Sequence, residues 1–265
     1  MSIIDESQNI NKVQFSHGNG FPASSYNYLL EMLDNTKINF IEKMGHGKYP
    51  LNKDLYNFAD ELIESIETAY TEPIIGVGHS LGGVVTLLAA SKRPDLFKKV
   101  IALDPVLFSK RKRYLIWLLR KIGITDWLGV TKKAKKRRIH FSSLEEVRNI
   151  YKQKSLFKRF HPNCFEDYLK CGFTQTKEGV ELAFSSEVEA DVFRYIQIKI
   201  PPDLDKLKGV LIYGKYSDTF QKADMKWWER NFPNFEIISI DGGHLFPFEK
   251  PKETVKLLNQ HISDS

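Results

Sequence analysis

The stretch Glu72-Pro73-Ile74-Ile75-Gly76-Val77-Gly78-His79-Ser80-Leu81-Gly82-Gly83 decides how this chain folds. Its first half is a short apolar run bounded by turn residues, as expected of a strand buried on both faces. Residues 84–92 read as a helix that ends at Arg93-Pro94. Ser80 therefore falls at a tight strand-to-helix turn, which strains its backbone and pushes its hydroxyl clear of the sheet. The chain segments that cross there need small residues two before and two after the serine, and Gly78 and Gly82 supply them. Strand, serine and helix together are a structural context and not a bare pattern match.

Strand and helix signals alternate on both sides of this turn. Residues 12–16 and 37–42 read as strands, and residues 25–33 as a helix capped by Ser24 or Ser25. Residues 52–70 read as a long helix with one apolar stripe: Leu55, Phe58, Ala59, Leu62, Ile63 and Ile66. Val100-Ile101-Ala102-Leu103 is a further strand. The pattern then breaks, and residues 108–202 read as mostly helical, aromatic and basic. From Lys208 it resumes with a strand over 209–213, a helix over 222–231, a strand over 235–240 and a closing helix over 250–261. Such alternation predicts an α/β fold with a mostly parallel sheet flanked by helices. The expected division is a core of residues 1–106 and 203–265 with a helical insertion over 107–202.

With 265 residues, 42% hydrophobic, the chain is long and apolar enough for one large domain with a real core. No run is apolar for long enough to cross a bilayer, and residues 1–8 lack the basic start and apolar centre of a secretory signal. Two cysteines, Cys164 and Cys171, form neither a disulfide framework nor a zinc pattern, so a reduced, cytoplasmic protein is expected. Charge is local. Between Lys110 and Arg138 twelve lysines and arginines face Asp126 alone, a net +11 in a chain whose total is +6. No recognition module accompanies that charge, so nucleic acid is not an expected partner.

A serine hydroxyl needs a base to become a nucleophile, usually a histidine oriented by a carboxylate. Among seven histidines His244 is best placed, in Asp241-Gly242-Gly243-His244 directly after the last predicted strand. Two carboxylates lie at strand ends between serine and histidine. Asp218 follows the strand over 209–213 and is preferred, while Asp104 follows Leu103 and also suits a turn before Pro105. For a developing oxyanion, one donor is the backbone N–H of Leu81. The other should come from His17-Gly18-Asn19-Gly20-Phe21-Pro22, with Asn19 the first choice and Phe21 a competitor in register. His17 reads as shaping this loop.

Taken in order, His17-Gly18, Gly78-x-Ser80-x-Gly82, Gly214-x-x-Ser217-Asp218 and Gly242-Gly243-His244 resemble the α/β-hydrolase superfamily over nearly the whole chain. The resemblance implies an eight-stranded, mostly parallel sheet with a helical cap between the strands ending near Asp104 and beginning near Lys208. It implies Ser80 as nucleophile, Asp218 as acid and His244 as base, with no metal or organic cofactor. Few residues precede the first strand, so the family's N-terminal hairpin is shortened or missing. Gly45-His46-Gly47 fits the family's loop after the next strand and reads as structural. Within that family a serine at this position favours esterases, thioesterases, carbon–carbon hydrolases and cofactor-free perhydrolases over enzymes with an aspartate or cysteine nucleophile.

The segment Lys110-Arg111-Lys112-Arg113-Tyr114-Leu115-Ile116-Trp117-Leu118-Leu119-Arg120-Lys121 places an apolar centre between basic ends. It reads as a cap helix packed on the core with solvated flanks. Two further readings are an acyl pocket lined by Leu115, Trp117, Leu118 or Leu119, and a helix on an anionic membrane surface. Phe141, Phe157, Phe160, Phe165 and Phe173 read as the cap's own core. The expected function is hydrolysis of a small or medium acyl ester through an acyl-enzyme. A lyase or carbon–carbon hydrolase acting on an acidic substrate, and a non-catalytic ligand sensor, are the alternatives.

Overall fold

The computed structural model describes residues 10–124 and 129–264; the N-terminal stretch 1–8 and Asp126 lie outside the described residues. The first half comprises β1 (Asn11–Ser16), α1 (Asn27–Leu30), β2 (Thr36–Phe40), α2 (Tyr56–Ala69), β3 (Ile74–His79), α3 (Leu81–Lys92) and β4 (Phe97–Leu103). An inserted segment follows with α4 (Lys110–Lys121), α5 (Gly129–Lys135), β5 (His140–Phe141), α6 (Leu144–Gln153), α7 (Pro162–Cys171), β6 (Phe173–Thr176), β7 (Gly179–Leu182) and α8 (Ser186–Arg194). The chain closes with β8 (Gly209–Gly214), α9 (Lys222–Asn231), β9 (Phe235–Ile240), α10 (Phe246–Glu249) and α11 (Pro251–Ser263).

Six strands pair in the order β2-β1-β3-β4-β8-β9, every pairing parallel. Because both faces are covered, side chains alternate between two cores. Ile75, Val77, Ile101, Leu103, Val210 and Ile212 enter one with α11 and the aromatic residues of the insertion. Ile74, Val100, Ala102 and Leu211 enter the other with α2, α3 and Trp228. All six residues of β3 are buried, as a central parallel strand requires. The apolar stripe of α2 is buried from Leu55 to Ile66. Strand order reverses between β1 and β3, and open parallel sheets bind ligands at such a crevice beyond the strands' carboxyl ends. Ser80 and the 17–22 loop both sit there.

The structure differs from the sequence expectation in three places. Among the described residues the main sheet has six strands, not eight. The helix expected over 25–33 is a short 3-10 turn, Ala23–Tyr26, running into α1. Ser24 does not cap it, because its amide and hydroxyl both bind the Glu42 carboxylate, at 3.1 and 2.6 Å. The insertion is not purely helical: β5, β7 and β6 form a three-stranded antiparallel sheet whose hairpin turns at Gly179, φ 142°. The five phenylalanines singled out from sequence are buried there with Tyr151 and Tyr168. Phe160 stacks on Phe248 at 4.7 Å, which bonds the insertion to the main core. Leu115, Trp117 and Leu118 of α4 are exposed, and Leu119 is half-buried.

The turn from β3 into α3 leaves no room for side chains. A Cβ on Gly82 would lie 2.1 Å from the Ser16 carbonyl oxygen, and one on Gly78 would lie 2.4 Å from that of Gly82. Backbone cannot yield as a flexible side chain can. Gly82→Ala is therefore expected to cost about 3 kcal/mol or more, read as a shift in the urea unfolding midpoint. Gly47→Ala, whose Cβ would meet only Glu61 Oε1 at 3.7 Å, is the control expected to unfold near the wild-type midpoint.

Candidate active site

Ser80 has φ 54° and ψ −113°, a region that a residue bearing a Cβ occupies only under constraint. Its amide donates to Leu103 O at 2.9 Å, which ties the turn to the end of β4. The side chain is thereby delivered to His244: Ser80 Oγ and His244 Nε2 are 2.9 Å apart. His244 arrives by a tight path after β9. The Gly243 amide donates to Glu249 Oε2 at 2.8 Å, and the Tyr216 amide donates to Gly242 O at 3.0 Å.

The carboxylate beside His244 is that of Asp104, not of Asp218. Asp104 Oδ2 lies 3.6 Å from His244 Nδ1, a nitrogen that is buried and otherwise has no hydrogen-bond partner. Asp104 is fully buried at φ 45°, and its amide donates to Ile212 O at 2.7 Å. Its carboxylate accepts from the Gly214 amide at 3.3 Å and from Ser217 Oγ at 3.1 Å. Asp218 is exposed, and its carboxylate accepts from the neighbouring Thr219 Oγ1 at 3.3 Å. The reason lies in the turn after β8. Ser217 points inward and also accepts the amides of Thr219 and Phe220, so the next residue must point outward. Register was the missed signal. His79 pairs with Leu103, so Ser80 and Asp104 leave adjacent strands at one level.

Leu81 opens α3, where an N–H has no acceptor within the helix. In the 17–22 loop the Phe21 amide donates to Gly18 O at 3.2 Å, closing a turn with Gly20 at φ 79° in its third position. That bond commits the Phe21 amide, whereas the amide of Asn19, the second residue of the turn, is not drawn into it. The Asn19 side chain donates from Nδ2 to Glu189 O at 3.0 Å. Glu189 in turn pairs with Arg137 at 2.6 Å, and its carboxylate occupies the space beside Gly20. The insertion thus holds this loop through α8.

Two buried histidines tie the loops of this edge together: His17, as its place in the loop suggested, and His79, which no sequence pattern marked. His79 Nε2–H donates to His244 O at 3.0 Å, while its Nδ1 accepts from the Tyr26 hydroxyl at 2.7 Å. Tyr26 Oη also accepts the Gly18 amide at 3.1 Å, so one chain of bonds joins the 17–22 loop to the His244 loop. His17 Nδ1–H donates to Gly18 O at 2.9 Å, and its Nε2 accepts the Met44 amide at 2.9 Å. His46, in the loop read as structural, accepts the Ser185 amide at 3.0 Å and ties the insertion down. Burial pushes His79 down to about 3 and His17 down to about 4, so both are neutral and fixed in one tautomer. Among the described residues no group of three or more His, Cys, Asp or Glu could hold a metal ion.

The sequence model of the alpha/beta hydrolase family matches residues 15–257. The chain belongs to that family. It is 25% identical over 221 residues to the hydrolase YugF of Bacillus subtilis, covering 78% of this chain and 70% of that one. Over 104 residues it is 30% identical to the monoglyceride lipase of Rattus norvegicus, covering 36% of this chain and about a third (34%) of the lipase. Over 121 residues it is 28% identical to the Karrikin insensitive 2 receptor CA of Petunia hybrida, covering 39% of this chain and 44% of the receptor. The fold matches the crystal structure of E-2-(acetamidomethylene)succinate hydrolase with a TM-score of 0.74 at 18% identity, over 96% of this chain and 92% of that one.

The buried neutral histidines set the expected pH dependence. Their pKa values are lower folded than unfolded, where imidazole titrates near 6.5, so their stabilisation is complete above that pH and lost below it. Each should contribute a slope of about 1.4 kcal/mol per pH unit between its two values. Urea unfolding from pH 7.5 to 5 is expected to show a steepening loss of stability below about pH 6.5. A flat profile would contradict the buried, uncharged state of His17 and His79.

Proposed function

We propose that this chain is a serine hydrolase that cleaves carboxylic esters of small or medium acyl chains through an acyl-enzyme. The observation that carries the reading is the 2.9 Å contact between Ser80 Oγ and His244 Nε2 at the strained turn, with Asp104 buried behind the histidine. Family membership supports hydrolysis.

Ser80 Oγ attacks the ester carbonyl carbon while His244 Nε2 takes the hydroxyl proton. Negative charge gathers on the former carbonyl oxygen, facing the amides of Leu81 and Asn19. Collapse breaks the bond to the leaving oxygen, which receives the proton from His244 and departs as an alcohol. Water then loses a proton to His244 and attacks the acyl-Ser80 carbonyl. The proton returns to Ser80, and the carboxylic acid leaves. Asp104 fixes the imidazole with Nδ1–H toward its carboxylate and stabilises the imidazolium of both half-reactions. In this reading the insertion is a cap over the crevice, and its hold on the 17–22 loop through Glu189 keeps the second donor amide in place. Two free cysteines suit a reducing cytoplasmic compartment.

The likeness to the petunia receptor raises a second reading, a ligand sensor that binds without turnover. Hydrolysis of p-nitrophenyl esters from acetate to palmitate separates the two. Serine-dependent turnover with a chain-length optimum is expected, falling to background in Ser80→Ala. Asp104→Asn is expected to lower kcat by about 10³–10⁴-fold. Asp218→Asn, on the surface, should stay within about twofold of wild type. Turnover surviving Ser80→Ala would refute the mechanism, and loss in Asp218→Asn but not Asp104→Asn would return the acid to the loop after β8.

A further inference from the structure

Helix α4 is amphipathic the wrong way round for a helix packed on a protein core. Its inward side carries three cations, Lys112, Arg113 and Arg120, beside the half-buried Ile116 and Leu119. Lys112 Nζ donates to Thr219 O at 2.7 Å and lies 3.6 Å from Asp224. Arg113 donates to Phe108 O at 2.9 Å and to Ile198 O at 2.8 Å, and Arg120 donates to Ile196 O at 2.8 Å. These cations hold the helix by backbone carbonyls of neighbouring segments. The outward stripe is apolar: Tyr114, Leu115, Trp117, Leu118 and Ile122 are 63, 53, 40, 40 and 57% exposed. None of the twelve residues of α4 is buried.

Large apolar side chains clustered on one exposed helix face mark a contact surface, whereas scattered ones do not. What surrounds this face selects its occupant. Tyr114 and Trp117 stack at 5.6 Å, the two residue types that favour the boundary between water and acyl chains. Lys110 and Arg111 at one end and Lys121 at the other are exposed, and α4 contains no acidic residue. A helix lying flat with an apolar face and basic ends is complementary to an anionic bilayer, into which its apolar side sinks by a few ångströms. Among the described residues no helix is long and apolar enough to cross a membrane, so the contact would be superficial.

We infer that α4 docks the protein on the surface of an anionic lipid bilayer, with Tyr114, Leu115, Trp117, Leu118 and Ile122 inserted and the flanking cations over lipid headgroups. This inference does not rest on the hydrolase reading. The test is co-sedimentation with phosphatidylcholine–phosphatidylserine vesicles, against pure phosphatidylcholine, for wild type, the double variant Trp117→Gln/Leu118→Gln and the double variant Lys110→Glu/Arg111→Glu. All four positions are on the surface, so the fold and turnover of a soluble ester should be unchanged.

Wild type is expected to partition onto the anionic vesicles and to be released by salt. Each double variant should lose at least about tenfold in partitioning, as expected for removing apolar area or about two headgroup contacts. Failure of wild type to bind the anionic vesicles would overturn the inference, as would equal binding by the Trp117→Gln/Leu118→Gln variant. A wild-type dimer in sedimentation velocity, dispersed by that variant and unable to bind vesicles, would also overturn it and assign the face to a second copy of the chain.

Discussion

The arrangement at the upper edge of the sheet depends on one close approach, backbone against backbone, where α3 passes β1. Gly82 sits so near the Ser16 and His17 carbonyls that a single methyl group could not be placed between them. That contact fixes the direction in which α3 leaves β3, and the direction fixes Ser80 at positive φ. Strain of this kind persists only where the surroundings over-determine it. Here the determinants are the fully buried strand beneath, the Ser80 amide bonded to Leu103, and two glycines that allow helix and strand to touch.

Around this point, hydrogen bonds between buried polar groups join the loops. His79 connects the His244 carbonyl to Tyr26, and Tyr26 connects to Gly18. Asp104 gathers Gly214, Ser217 and the proximity of His244. An unpaired polar group in these positions would cost more than a made bond contributes, so each bond also penalises displacement of the loop it holds. The consequence is preorganisation: loops from four strand ends are held relative to one another.

Much of this could be read from sequence, because local rules and long-range packing agree there. Continuous apolar runs flanked by glycine and proline announced parallel strands, and small residues on both sides of Ser80 announced the turn. The return of His244 toward the Ser80 turn was legible in the two glycines after the last strand. Which carboxylate lies beside His244 did not follow, because it depends on which side chain of an irregular turn faces inward. That is settled by Ser217 and by strand register, neither of which leaves a periodic trace. The small sheet of the insertion escaped for a similar reason, since its strands have two to four residues and its hairpin is largely polar. For α4 the sequence suggested an apolar centre packed on the core with solvated basic flanks, but carbonyls from neighbouring segments draw Arg113 and Arg120 inward and leave Tyr114, Leu115, Trp117 and Leu118 exposed.

The central claim is that the fold makes one serine, Ser80, a nucleophile. The most direct measurement is reaction of the folded protein with a fluorophosphonate, which phosphonylates only an activated serine, followed by intact and peptide mass spectrometry. The account predicts a single adduct on the peptide containing Ser80, absent in Ser80→Ala. Folded wild-type protein that stays unmodified, or carries its adduct on another serine, would contradict it.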